Sequence, residues 1–113
     1  MKLIHAMVAP HRVPQVIHAL RHLPHFPGYT LLEGVGESRG RGLGGTHVPS
    51  EADIDARRCH VLIIACPDDE VDQIADLIRQ EAHTGLAGDG LVLIGDLLDA
   101  RRIRNDERGD TAL

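Results

Sequence analysis

HTGLAGDGLVLIG, residues 83–95, sets three glycines around a single aspartate and passes at once into an aliphatic run. A surface turn needs one glycine, at most two. Gly85, Gly88 and Gly90 about Asp89 imply backbone held close to something other than protein side chains. The stretch on its C-terminal side, Leu91 to Gly95, reads as a strand. On its N-terminal side Val71, Ile74, Ala75 and Ile78 fall on one helical stripe. Asp68, after Pro67, is placed to cap that helix, with Asp69 and Glu70 adding negative charge in the first turn.

Further upstream, CHVLIIAC (59–66) is a continuous aliphatic run, as expected for a strand in the middle of a sheet. At the start of the chain, LIHAMVA (3–9) reads as a first strand ended by Pro10. From Val13 the apolar positions Val13, Val16, Ile17 and Leu20 repeat at helical spacing, with Pro14 tolerable in the first turn. GYTLLEGVG (28–36) reads as a second strand, leading into a long segment, about 37–55, that holds Gly40, Gly42, Gly44 and Gly45 and little apolar content. Such a length predicts a mobile, functional loop.

The order is strand, helix, strand, strand, helix, strand. It predicts a single α+β domain over 1–113, a ferredoxin-like βαββαβ sandwich with two helices on one face of an antiparallel sheet. The opposite face needs cover in so short a chain, and a trimer burying sheet against sheet is one symmetric solution.

Composition removes several function classes. The net charge of −5 with neutral histidines argues against general affinity for nucleic acid or anionic membranes. Phe26 and Tyr29 are the only aromatics besides histidine, so no platform exists for stacking bases. The apolar run at the N-terminus carries His5 and is too short for a signal peptide or a span, which predicts a cytoplasmic protein. Cys59 and Cys66 on one strand would lie about 23 Å apart on opposite faces and cannot pair.

With this element order in place, TGLAGDG (84–90) followed by ARRIRNDERGDTAL (100–113) resembles the nitrogen-regulatory PII signal-transduction family. Its members carry a TG-x-x-GDGK loop and an RIRTGE-type segment one strand later. MKLIHAMVAPHRVPQVIHAL is similar to the family's opening strand and helix. The resemblance implies a homotrimer that binds ATP, ADP or AMP in clefts between subunits and controls a target protein through its long loop. It implies that Thr84, Gly85, Gly88, Asp89 and Gly90 wrap the phosphates, with Arg102 and Arg104 arriving from the adjoining subunit. Thr30, Gly36 and Arg39 match the strand and loop base that flank the nucleotide. The chemistry of the residues agrees: amides of a glycine turn make a concave anion site, and two guanidiniums at strand spacing suit polyphosphate. Arg101, outside that pair, reads as a solvated charge.

The chain also departs from the pattern. Leu91 stands where the family has lysine after GDG, so one cationic contact to phosphate is missing, and either triphosphate binding should be weaker or the preference should move toward ADP or AMP. Gly40 stands at the loop glutamine that helps hold magnesium and 2-oxoglutarate, which puts 2-oxoglutarate sensing in doubt. No tyrosine lies between residues 37 and 55, which excludes uridylylation there. The loop's target should differ accordingly, with a membrane transporter among the candidates, and divergent relatives are linked to bicarbonate metabolism or heavy-metal efflux. His11, His18 and His22 could share one helix face, and His18 with His22 could chelate a metal, as could His47 in the loop. The alternative is therefore a trimeric metal-binding protein similar to the CutA family. Enzymatic activity is not expected, since no Walker motif is present.

Overall fold

A computed structural model describes residues 1–37, 39 and 58–113. Its order is β1 (Lys2–Val8), α1 (Val13–Arg21), β2 (Thr30–Val35), β3 (Arg58–Cys66), α2 (Val71–Ala82) and β4 (Gly90–Asp96). The sheet is antiparallel in the order β2-β3-β1-β4, with β2 and β4 at opposite edges. This is the expected ferredoxin-like arrangement.

Burial alternates along the two central strands, and the period of two is what divides the sheet into two faces. Ile4, Ala6 and Val8 of β1 and Leu62, Ile64 and Cys66 of β3 point under the helices and are buried. Val13, Val16 and Leu20 of α1 and Val71, Ile74, Ile78 and Ala82 of α2 close the same core. Cys66 lies within it, and burial raises its thiol pKa. Both cysteines are free, as their spacing requires.

The other face carries the alternate residues, because residues paired directly across antiparallel strands share a side. Met7 pairs with Val61 and Leu91, while Leu32 also pairs with Val61. Leu32, Leu91 and Leu93 are half-exposed. His5 lies on this face between Ile63 and Leu93, and Cys59 lies on it beside Gly34.

Three local expectations are corrected. Asp68 does not cap α2: residues 68–70 form a 3₁₀ turn, the helix starts at Val71, and no side chain caps its first turn. The Asp68 carboxylate is instead 2.9 Å from the Met1 amine, which holds its pKa below the usual range. The second strand starts at Thr30 rather than Gly28, because Gly28 has a φ of 73° and leaves extended geometry. His11 sits in the 3₁₀ turn Pro10–Arg12, so helical spacing does not carry it onto the face of His18 and His22. The 37–55 loop, apart from residues 37 and 39, lies outside the described residues, as do Gly40 and His47.

Ile78 is fully buried. Truncation by Ile78→Ala should cost about 2–5 kcal/mol of unfolding free energy, read from the denaturant midpoint.

Candidate functional site

The turn at 83–90 joins the end of α2 to the start of β4. Arg12, just before α1, donates from Nε to the carbonyl oxygen of Glu81 at 2.9 Å. A guanidinium there satisfies a carbonyl that the helix end leaves unpaired and complements its partial negative charge. The turn therefore starts from an anchored helix end.

Asp89 organises the turn. Its carboxylate accepts from the Thr84 amide at 2.9 Å, from the Gly85 amide at 3.0 Å and from the Thr84 hydroxyl. The Thr84 hydroxyl oxygen accepts in turn from the Leu86 amide at 3.2 Å. Hydrogen bonds to the ionised form, that from the Thr84 side chain first, pull the Asp89 carboxyl below its ordinary pKa of 3.8. Three consecutive amides are thus taken up by side chains of the turn itself. In this chain Asp89 acts on its own backbone, and the turn is held closed from within.

The glycines have separate physical reasons. Gly85, Gly88 and Gly90 have φ of 85°, 92° and 107°, all in the region that favours glycine. Gly90 has a second constraint, since a Cβ there would lie 1.8 Å from the carbonyl oxygen of Met7. The fold alone requires glycine at 90, where β4 first meets β1.

Beside the turn lies a shallow cleft of about 290 Å³ lined by Met7, Arg79, His83, Asp89, Gly90 and Leu91. Sequence reasoning missed Arg79 and His83. The available signal was position, since Arg79 lies in the last turn of α2 and His83 directly follows its end at Ala82. The His83 Nδ1 is 3.5 Å from the Asp89 carboxylate.

The remaining expected residues are not gathered there within one chain. Thr30 begins β2, Gly36 follows its last residue, and Arg39 is exposed beyond it. The row Gly90–Val8–His60–Glu33 crosses the whole sheet, so β2 stands three strand spacings, about 14 Å, from β4. Thr84, Gly85, Gly88, Asp89 and Gly90 form one group at one edge, and Thr30, Gly36 and Arg39 another at the opposite edge.

The C-terminal segment corrects the picture of two arginines alternating on a strand. An isolated bridge joins Arg101 to Arg108, the Arg102 amide donates to Glu107 at 3.1 Å, and Gly109 donates to Ala100 at 2.9 Å. Residues 103–106 form the bend of this small hairpin. Arg102 folds back, donating from Nη2 to the Leu113 carbonyl at 3.2 Å, with its Nε 3.8 Å from Glu107. That Nε is buried and makes no hydrogen bond. Arg104 is exposed in the bend. Arg101 is not merely solvated, because its Nε is 2.9 Å from Asp99.

His18 and His22 do lie together, with ring centroids 4.4 Å apart. The His22 Nδ1 is 2.8 Å from the His18 carbonyl oxygen. Among the described residues no cluster of three or more metal-ligating side chains occurs, and no helix is long and apolar enough to cross a membrane.

Fold and turn together define a ferredoxin-like domain with a glycine turn at a sheet edge, and comparison with known proteins gives the class its name. The model of the family "Nitrogen regulatory protein P-II" matches residues 1–107. The "Nitrogen fixation nifHD region GlnB-like protein 1" of Methanothermococcus thermolithotrophicus is 36% identical over 96% of this chain and 99% of its own length. Nitrogen regulatory protein P-II of Bradyrhizobium diazoefficiens is 32% identical, and nitrogen regulatory protein GlnK of Escherichia coli K12 28% identical, each over the full length of both chains. The chain belongs to the P-II family, whose members are signal-transduction regulators rather than enzymes.

Two outcomes follow from the turn. Gly90→Ala should lower stability by at least about 2 kcal/mol, from positive φ and overlap with Met7 together, measured by denaturant unfolding. The Asp89 pKa is depressed in the folded state, so its contribution is present above the unfolded carboxylate range and lost as pH falls through the folded value. The amide proton shifts of Thr84 and Gly85 should therefore titrate together with a midpoint below 3.8, as followed by NMR.

Proposed function

We propose that this chain is a PII-type regulator that binds adenine nucleotide between subunits of a homotrimer and controls a partner protein through residues 37–55. The observation that carries this reading is the split of the expected binding residues between opposite edges of one sheet. Thr30, Gly36 and Arg39 on the β2 side cannot close on the same small ligand as the turn at 84–90 across about 14 Å of intervening strands. A neighbouring subunit brings one edge up to the other, and the divided set becomes a single cleft.

The apolar outer face supports the assembly. Leu32, Leu91 and Leu93 remain half-exposed on it in the isolated chain, and covering them against a second and third copy removes apolar area from water. Arg102, whose buried Nε makes no hydrogen bond and stands 3.8 Å from Glu107, is the guanidinium best placed to gain from an anionic partner. Nucleotide bound in the cleft would then favour one arrangement of the 37–55 segment, which docks on or releases the partner. Coupling of this kind requires different nucleotide affinity in the two arrangements. A membrane transporter is the partner class that we favour, with the protein acting in the cytoplasm. Leu91 in place of a lysine favours ADP or AMP over ATP.

Calorimetry with ADP, AMP and ATP tests the reading. Heat with at least one nucleotide, weakened about tenfold or more in Arg102→Ala, is expected, since a hydrogen bond to a charged group contributes about 1.5–3 kcal/mol. The absence of heat with all three would end it. In sedimentation, the native chain should run as a trimer and Leu93→Asp as a smaller species.

A further inference from the structure

The turn at 84–91 holds one carboxylate, Asp89, and neither lysine nor arginine. Leu86 and Leu91 are its large exposed side chains, and both are apolar. The amides of Thr84, Gly85 and Leu86 are already committed to Asp89 and Thr84. An anion entering the cleft therefore meets a turn whose only ionised group repels it, and the compensating charge from this chain must come from the end of α2.

Two side chains are available there. Arg79 and His83 line the same cleft as Asp89 and Gly90. His83 is 65% exposed, with Nδ1 3.5 Å from the Asp89 carboxylate. Its Nε2 lies 3.8 Å from the point where a Cβ on Gly85 would stand, so the ring lies beside the bare backbone of the turn. The other charged groups facing it are Arg79 from α2 and Asp89 from the turn; Met7 and Val8 from β1 and Leu91 from β4 bring none. Glu81, two residues before, faces the opposite cleft with Gln15 and His18 of α1.

One proton then changes what this chain contributes to the cleft. With His83 neutral, Arg79 and Asp89 cancel; with His83 protonated, the lining adds one positive charge to those that Arg102 and Arg104 of a neighbouring copy would bring. Imidazoles change charge around neutral pH. We propose that His83 serves as a proton-controlled cation of the phosphate site, so that acidification strengthens the binding of a nucleoside di- or triphosphate. This rests on the nucleotide reading above and adds an effector to it, the proton, acting at the cleft itself. The sign is fixed by the geometry: the bound anion favours the protonated ring, so affinity gained at acid pH is lost as pH rises.

Three proteins and two pH values decide it. ADP affinity is measured by calorimetry at about pH 8 and about pH 6 for the native chain, His83→Gln and His83→Lys, with thermal unfolding confirming that each is folded. The terminal phosphate itself gains a proton near pH 6, and His83→Gln reports that shared contribution. The native chain should tighten on acidification by about three- to fivefold relative to His83→Gln, the range for a screened, exposed charge pair. His83→Lys should bind more tightly than His83→Gln at both values, without the extra pH dependence of the native chain. Identical pH dependence in the native chain and His83→Gln would overturn the role of His83 while leaving the nucleotide reading intact. Failure of all three to bind ADP, AMP or ATP at either pH would overturn the nucleotide reading, and this inference with it.

Discussion

The Asp89 carboxylate, accepting from the amides of Thr84 and Gly85 and from the Thr84 hydroxyl, is the interaction on which the candidate site depends. It closes the turn at the end of α2 and so delivers Gly90 to the one place where β4 can begin against Met7. Ionised acceptors make the stronger hydrogen bonds, and a closed ring of them fixes backbone that three glycines would otherwise leave free. The turn is thus shaped before any ligand arrives. Pre-shaping of this kind lowers the ordering cost of binding.

The same economy governs the two faces of the sheet. Helices α1 and α2 cover one face with branched aliphatics, and Arg12 ties the two helix ends together through Glu81. On the other face β1 and β3 continue their alternation with mostly apolar residues, Leu3, Met7, Val61 and Ile63, around His5. Among the described residues no further element covers them. The apolar outer face and the divided candidate residues would have a common remedy in a neighbouring copy, which is why assembly and ligand site enter the proposed function together.

Membership of the P-II family gives this arrangement its biological setting, and the chain's own residues give it a local character. Leu86 and Leu91 are exposed on the turn, and a histidine stands 3.5 Å from its aspartate. The positive charge beside the turn thus comes from the end of α2, where Arg79 and His83 line the same cleft. The Arg102 guanidinium is shared between a hydrogen bond to Leu113 and the Glu107 carboxylate, 3.8 Å from its Nε.

The sequence by itself determined the element order, because its periodicities of two and 3.6 are written in residues such as Ile4, Ala6 and Val8 or Val13, Val16 and Leu20. It also marked the glycine turn, since Gly85, Gly88 and Gly90 need conformations few other residues adopt. Only tertiary structure decided what those glycines face: Gly90 answers to Met7, 83 residues away, and no local pattern encodes that approach. The fate of Asp68, drawn to the Met1 amine rather than to a helix cap, was likewise a long-range matter. Alternation suggested that Arg102 and Arg104 project together from a strand, but the pairing of Arg101 with Arg108 bends the segment between them, and spacing alone does not reveal a hairpin closed by backbone bonds. His83 drew no attention as a letter in the sequence; it matters because the turn folds its aspartate back toward the helix end.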